Sequence, residues 1–166
     1  ISRSFNLMNC PMLIQLIVNG DEVNVIEFSA RMGGGTKYQL IEEMSGINIM
    51  QVYVNRVLGD IHQIINPSPS KKLIELNYVY ATNGIYQNII NFDTAKETNL
   101  IKNYFVYKES GSVIEKATTS SDRIAGFLLE ADTPEELLNK RKKAVQLLDV
   151  LDKNGHSMMI KDIYGV

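Results

Sequence analysis

The chain has 166 residues, a formal net charge of −2 and a single cysteine, Cys10. A chain of this length can bury about 70% of its unfolded surface, and one or two compact units are expected without an internal disulfide. The small net charge argues against a nucleic-acid or polybasic membrane surface, and no apolar run approaches the roughly 20 residues that span a bilayer.

The N-terminal part of the chain predicts a β-hairpin. Residues 12–18 and 23–28 are rich in apolar and β-branched side chains, and Asn19-Gly20-Asp21 between them is typical of a tight turn. In this hairpin Gln15 and Glu27 come close to each other and point to one face. An apolar strand has little reason to carry an amide and a carboxylate to one place unless a cation or a hydrogen-bond donor binds there.

A cationic and glycine-rich segment follows the second strand. Arg31 supplies a planar guanidinium that suits phosphate or carboxylate groups. Gly33, Gly34 and Gly35 then lead to Thr36, which is a predicted helix N-cap. Because free N–H groups at a helix N-terminus attract anions, the segment is predicted to bind an anionic group such as a carboxylate or a phosphate. A turn without a ligand is the alternative.

Two helices are predicted after the glycines. Apolar periodicity favours one helix that ends at Ser45-Gly46 and a second over residues 48–58 with Asn48 as its cap. Segment 66–72 contains Pro67 and Pro69 and is predicted to be a linker, because proline interrupts both helices and strand ladders.

A second unit of structure is predicted after the linker. Its predicted elements are a hairpin of residues 73–81 and 84–91, strands at 100–107, 112–115 and 124–131, a helix from Thr133 to about residue 151, and a short strand at 158–161. Thr133-Pro134-Glu135-Glu136 reads as a capping box with proline at the first helical position. The pattern predicts four or five antiparallel strands with one covering helix.

The N-terminal hairpin resembles the end of an ATP-grasp domain. In that family a penultimate strand carries Glu or Gln, and the last strand carries a Glu-x-Asn-x-Arg motif. Gln15 matches the first position, Glu27 the Glu and Arg31 the Arg, while Ser29 stands where the family usually has Asn. The Gln form and the run Leu7-Met8-Asn9 are similar to carbamoyl phosphate synthase large subunits. The triple glycine is more like the carboxylate-amine ligases that join amino acids.

The resemblance implies a fold and a domain organisation. The expected class is α+β. Residues 1–65 would be the C-terminal part of an ATP-grasp domain, with a hairpin and two helices. Residues 66–72 would be a linker, and residues 73–166 a small antiparallel-sheet subdomain with a covering helix. The adenine pocket and the phosphate-contacting lysines would precede Ile1, which is not an initiator methionine. We therefore expect a fragment that needs the N-terminal part of the same enzyme and is inactive alone.

The resemblance also implies roles for the site residues. Gln15, Glu27 and Ser29 would hold Mg²⁺ or Mn²⁺, with the Ser29 hydroxyl a poorer ligand than the usual Asn amide. Arg31 would be the catalytic residue that stabilises the transferring phosphoryl group. Arg31 and the glycines at 33, 34 and 35 would also contact ATP and the substrate.

The expected function is ATP-dependent ligation of small-molecule carboxylate and amine substrates through an acyl phosphate, in the cytoplasm. No nucleic-acid or membrane partner is expected, and a homodimer stays an option. One alternative is an enzyme similar to carbamoyl phosphate synthase or to carboxylases, acting on bicarbonate. The other is a non-catalytic binding protein on a degenerate ATP-grasp fold, for which Ser29 is the only support.

Overall fold

The computed structural model of the chain describes residues 1–60, 66–115 and 119–165. The chain divides into two compact units, Ile1–Ser70 and Lys71–Val166. The division falls within the proline-containing segment 66–72, where the backbone is irregular. None of the helices formed by the described residues is long and apolar enough to cross a membrane.

The first unit begins with an antiparallel hairpin of strands β1, Leu13–Asn19, and β2, Glu22–Ser29. Its turn is shorter than the sequence predicts, because only Gly20 and Asp21 connect the strands. Gly20 has a φ of +59°, a conformation that glycine adopts without steric cost. Asn19 leaves the predicted turn and pairs with Glu22 in the ladder.

Both predicted helices of the first unit are confirmed. Helix α1 spans Lys37–Ser45 and ends at Gly46, which has a φ of +70° and donates its N–H to the carbonyl of Glu42 at 2.7 Å. Helix α2 spans Ile49–Val57, and the side chain of Asn48 caps it. Such local signals determine where short helices begin and end.

The second unit contains six strands and two α-helices among its described residues. In chain order these are β3 (Leu73–Val79), β4 (Gly84–Ile90), α3 (Phe92–Glu97), β5 (Asn103–Val106), β6 (Val113–Ile114), β7 (Ala125–Ala131), α4 (Pro134–Leu147) and β8 (Asp149–Asp152). The strands form two antiparallel sheets, with the orders β3-β7-β5 and β6-β4-β8. The expected α+β class with antiparallel sheets is confirmed.

The predicted hairpin between β3 and β4 is wrong, because the two strands belong to different sheets. The backbone after β3 bonds to the C-terminal segment instead. Thr82 donates its N–H to the carbonyl of Met158 at 2.8 Å, and Ile160 donates to the carbonyl of Tyr80 at 2.9 Å. The turn-like residues therefore carry the chain from one sheet to the other.

Helix α4 begins as predicted and ends earlier. The hydroxyl of Thr133 accepts the N–H of Glu136 at 3.1 Å. The Glu136 carboxylate accepts the N–H of Asp132 at 3.0 Å, whereas a capping box would direct this bond to Thr133. The helix stops at Leu147 because the following residues pair with β4 as strand β8, which the sequence did not predict.

The remaining differences lie in short elements. Helix α3 was not predicted, and strand β5 covers only part of the predicted strand at 100–107. At 158–161 the structure has an isolated bridge between Met159 and Ala81 instead of a strand. Short elements carry few periodic residues, so sequence patterns define them poorly.

The hydrophobic core belongs to the second unit. Its largest fully buried side chains are Phe92, Phe127, Ile101, Ile124, Leu128, Leu129, Leu148, Val79 and Val150. Helix α4 covers one face of the first sheet, where Arg141 lies 3.7 Å from the carboxylate of Glu75 on β3. In the described part of the first unit, Thr36 is the only buried residue.

Candidate active site

The strand register places Gln15 directly opposite Glu27. Side chains at directly opposite positions of an antiparallel pair lie on the same face, with Cβ atoms about 5 Å apart. Both side chains are exposed, and no hydrogen bond or ion pair within the described ranges involves the Glu27 carboxylate. An amide and a carboxylate are thus side by side, and their role as metal ligands stays a prediction.

A β-bulge creates this pairing. From the turn to Leu16 and Val25 the strands follow one register, and the register shifts between Leu16 and Gln15. Ile26 is the additional residue on β2. Without the bulge, Gln15 would pair with Ile26, and Glu27 would lie on the other face. Bulges often occur next to functional sites, where they redirect side chains in this way.

The bulge also separates the hairpin into two chemically different faces. The polar face contains the opposed pairs Leu13–Ser29, Gln15–Glu27, Ile17–Asn24 and Asn19–Glu22. The apolar face contains the opposed pairs Ile14–Phe28, Leu16–Val25 and Val18–Val23. Ser29 therefore lies on the same face as Gln15 and Glu27, one pair further along the ladder.

Arg31 follows β2 on the exposed surface. Its guanidinium donates from Nη1 to the carbonyl of the next residue, Met32, at 3.0 Å. This bond turns the side chain back towards the chain just before the glycines. Arg31 lies two residues after the end of β2. Among the described residues, its guanidinium forms no ion pair with the Glu27 carboxylate.

The three glycines differ in their packing and backbone conformation. Gly33 is packed, since a Cβ there would lie 3.0 Å from a Lys37 carbon. Gly34 is open, with nothing within 4 Å of the corresponding position. Gly35 has a φ of +70° and turns the chain into Thr36. Thr36 is the N-cap of α1, and its carbonyl accepts the N–H groups of Gln39 and Leu40 at 3.1 and 3.2 Å.

The donor chemistry of the polar face fits a hard divalent cation. Gln15 and Glu27 offer an amide oxygen and a carboxylate oxygen, which Mg²⁺ and Mn²⁺ accept as ligands. Mg²⁺ is commonly held by only one or two carboxylates and keeps several waters, so a sparse set is sufficient. Across the described ranges no group of three or more His, Cys, Asp or Glu is placed to hold a metal ion, at the hairpin or elsewhere.

Comparisons with known proteins identify the fold. The sequence matches no protein-family model and no curated protein. Phosphoribosylglycinamide synthetase from Anaerococcus prevotii is 22% identical and superposes with a TM-score of 0.68, over 92% of this chain and 39% of that chain. L-amino acid ligase from Bacillus licheniformis is 20% identical and superposes with a TM-score of 0.70, over 92% of this chain and 38% of that chain.

Both similar structures are ATP-grasp ligases, and the chain has the ATP-grasp fold over the matched region. It spans about two fifths of the length of each of these two proteins. The likeness includes both described units, since it covers 92% of the chain.

Proposed function

We propose that the chain is the C-terminal part of an ATP-dependent carboxylate-amine ligase. The observation that carries the proposal is the bulged hairpin on an ATP-grasp fold, in which Gln15 and Glu27 share the polar face. The two similar structures are a phosphoribosylglycinamide synthetase and an L-amino acid ligase, and this supports a reaction that joins a carboxylate to an amine.

The residues fit the electrostatic demand of this reaction. Attack of a carboxylate on a phosphoryl group is opposed by repulsion between two anions. ATP supplies the phosphoryl group, and Gln15 and Glu27 would hold the divalent cation that reduces the repulsion. Arg31 would neutralise charge on the transferred group through paired hydrogen bonds. Ser29 would supply a weaker oxygen ligand on the same face.

The apolar face of the hairpin supports a further partner, the N-terminal part of the same enzyme. Ile14, Leu16 and Val25 are 37%, 46% and 48% exposed, and Val18 and Val23 are more exposed still. A contiguous apolar face of this kind marks an interaction surface, and an isolated two-stranded hairpin is only marginally stable. The similar ligases have chains about two and a half times as long, which leaves enough polypeptide to cover it.

A second candidate is an ATP-grasp enzyme that acts on bicarbonate. Gln15 at the first ligand position and the run Leu7-Met8-Asn9 favour it. Gly33, Gly34 and Gly35 favour the ligase, because a glycine loop gives backbone donors for an organic carboxylate. The free, exposed thiol of Cys10 fits a reducing, cytoplasmic location for either enzyme.

ADP release by the full-length protein tests the proposal. The protein is incubated with Mg²⁺, ATP and a grid of amino-acid pairs, with bicarbonate plus an amine as a separate arm. Release that requires both an organic carboxylate and an amine supports the ligase, and release with bicarbonate supports the second candidate. No substrate-dependent release in either arm, with ATP still bound, would favour a non-catalytic binding protein.

A further inference from the structure

The guanidinium of Arg123, two residues before β7 in the second unit, is held in a defined position. Its carbon Cζ lies 3.6 Å from the centroid of the Tyr78 ring, which is the arrangement of a cation–π contact. Its Nε donates to the hydroxyl oxygen of Tyr80 at 3.3 Å. One tyrosine therefore fixes the position of the guanidinium over its ring, and the other fixes one edge of it.

Tyr78 lies on the face of β3 that helix α4 does not cover. The Glu75 carboxylate faces α4, and Tyr78 follows three positions later in a regular strand, so its side chain points to the opposite face. Tyr78 pairs with Gly126 on β7, where a Cβ would lie 2.8 Å from the hydroxyl oxygen of Tyr107. The rings of Tyr78 and Tyr107 lie 6.4 Å apart. The guanidinium thus lies among tyrosines on the face opposite α4.

Within the described ranges the guanidinium of Arg123 has no carboxylate partner, and its Nη groups form no hydrogen bond. The carboxylate next to it in sequence, Asp122, accepts the N–H of Thr119 at 2.7 Å. Arg141, the other arginine of the second unit, lies 3.7 Å from the carboxylate of Glu75. A charge that is partly removed from water is normally paired, and Arg123 is half-buried. Its charge therefore calls for an anion from outside the described residues.

Two hydroxyl groups beside this guanidinium also lack an acceptor. The Tyr80 oxygen accepts from Arg123, and the Tyr80 proton finds no acceptor in the described part of the chain. The Tyr78 hydroxyl is buried and has no hydrogen-bond partner among the described residues. Buried polar atoms without a partner are rare, and each calls for an explanation such as an ion that binds there. The cluster thus offers several donors and no acceptor, which is the complement of an oxyanion.

We propose that Arg123 and Tyr80 form a binding site for an oxyanion, the carboxylate or phosphate group of a small ligand. The Nη groups of Arg123 and the O–H of Tyr80 would donate to the same anion, as in bidentate recognition by arginine. The Tyr78 ring holds the guanidinium in place, so little side-chain freedom is lost on binding. All three residues belong to the second unit, and the proposal does not depend on the ligase function.

An NMR titration of the 166-residue chain tests the site. Acetate and inorganic phosphate are added in separate arms at constant ionic strength, and chloride is the third arm. The side-chain Nε–H of Arg123 and the backbone amides of Tyr80 and Ile124 are followed. We expect saturable shifts with acetate or phosphate, and the arm with the higher affinity identifies the group that the site prefers. Equal shifts in all three arms would show charge screening alone and would overturn the proposal.

Substitutions assign the binding to these side chains, with the backbone amides as the readout. Arg123→Gln should weaken binding about tenfold or more, because it removes a charge-assisted donor, and Tyr80→Phe by about threefold, because it removes one neutral donor. Arg3→Gln, at an exposed arginine of the first unit, is the control for charge. Tyr104→Phe is the control for a hydroxyl, since Tyr104 donates to Asp93 at 2.6 Å. Both controls should keep wild-type affinity.

Two results would contradict the site. Unchanged affinity in Arg123→Gln would show that the anion binds elsewhere. The same titration is repeated on the full-length protein, where we expect the affinity found for the 166-residue chain. Binding that disappears in the full-length protein would mean that a carboxylate of the additional polypeptide pairs with Arg123, and the site would then not bind a small ligand.

Discussion

The two units of the chain bury their apolar residues to very different extents. The second unit has a core in which Phe127, Leu129 and Leu148 are completely buried. In the first unit, by contrast, Leu16 and Val25 on the hairpin remain about half exposed. The first unit nevertheless carries the candidate site.

The unit that contains the hydrophobic core is therefore not the unit that carries the candidate site. The second unit has the core that an independent domain needs. The hairpin of the first unit has its strands, turn and bulge, but among the described residues most of its apolar face remains exposed, and such a hairpin gains little from burial. An incompletely covered hairpin that carries the candidate site is what the proposed function leads us to expect, because further polypeptide would then complete the fold.

Hydrogen exchange should show the largest contrast between the units. Backbone amides of β7 open only with the core, whereas those of β1 and β2 can open locally. We expect β7 amides to be protected at least a hundredfold more than hairpin amides, equivalent to about 3 kcal/mol. Equal protection in β2 and β7 would mean that the two units unfold together.

Matched leucine substitutions should differ almost as strongly. Leu129 is fully buried and Leu16 is 46% exposed. Leu129→Ala should lower the free energy of unfolding by about 2–5 kcal/mol, because it removes buried methyl groups and leaves a cavity, and Leu16→Ala by less than about 1 kcal/mol. Urea denaturation of both variants measures the difference. Similar losses would indicate that the hairpin face is covered within this chain.

The cap of α4 provides a smaller effect within the stable unit. Thr133→Ala removes the hydroxyl that accepts the N–H of Glu136 and should cost about 1 kcal/mol. Thr133→Ser keeps a capping hydroxyl and should be close to wild type. Thermal unfolding followed by circular dichroism compares the three proteins, and an unchanged midpoint for Thr133→Ala would refute the role of the cap.

The smallest predicted effect is a pH dependence. Hydrogen bonds from Lys102 and Lys72 lower the pKa of Glu130 below its ordinary 4.5. A carboxyl group whose pKa is lower in the folded state than in the unfolded state stabilises the fold at pH values above its unfolded-state pKa. This contribution is lost as the pH falls through the folded-state pKa. Glu130→Gln should therefore be less stable than wild type at neutral pH, with the difference shrinking below about pH 4.5. A constant difference from pH 7 to 3 would contradict this.

Features encoded by adjacent residues could be predicted from the sequence. Asn48, Gly46 and Thr133 each determine a helix end through a hydrogen bond within a few residues. The separation of β3 from β4 could not be predicted in this way, because Thr82 donates its N–H to the carbonyl of Met158, which is far along the chain. A local turn signal contains no information about such pairing.

The proximity of Gln15 and Glu27 was predicted from the sequence, but the geometry that produces it was not. A three-residue turn would place Gln15 and Glu27 on one face without a bulge, whereas the observed two-residue turn needs the additional Ile26 to do so. The adjacent apolar residues Val25 and Ile26 break the alternation of β2 and were the available signal for the bulge. The contact between Lys37 and Gly33 could not be predicted, because it depends on how the loop folds.

The most direct test of the central claim is the effect of Glu27→Gln on turnover by the full-length enzyme at saturating ATP. The change keeps the shape of the side chain and removes charge from the proposed metal ligand, so turnover should fall by more than about tenfold. Glu22→Gln, on the same strand and face but opposite Asn19 near the turn, is the matched control and should retain near-wild-type turnover. Unchanged turnover in Glu27→Gln, or an equal loss in Glu22→Gln, would contradict the assignment of the Gln15–Glu27 pair as the metal site.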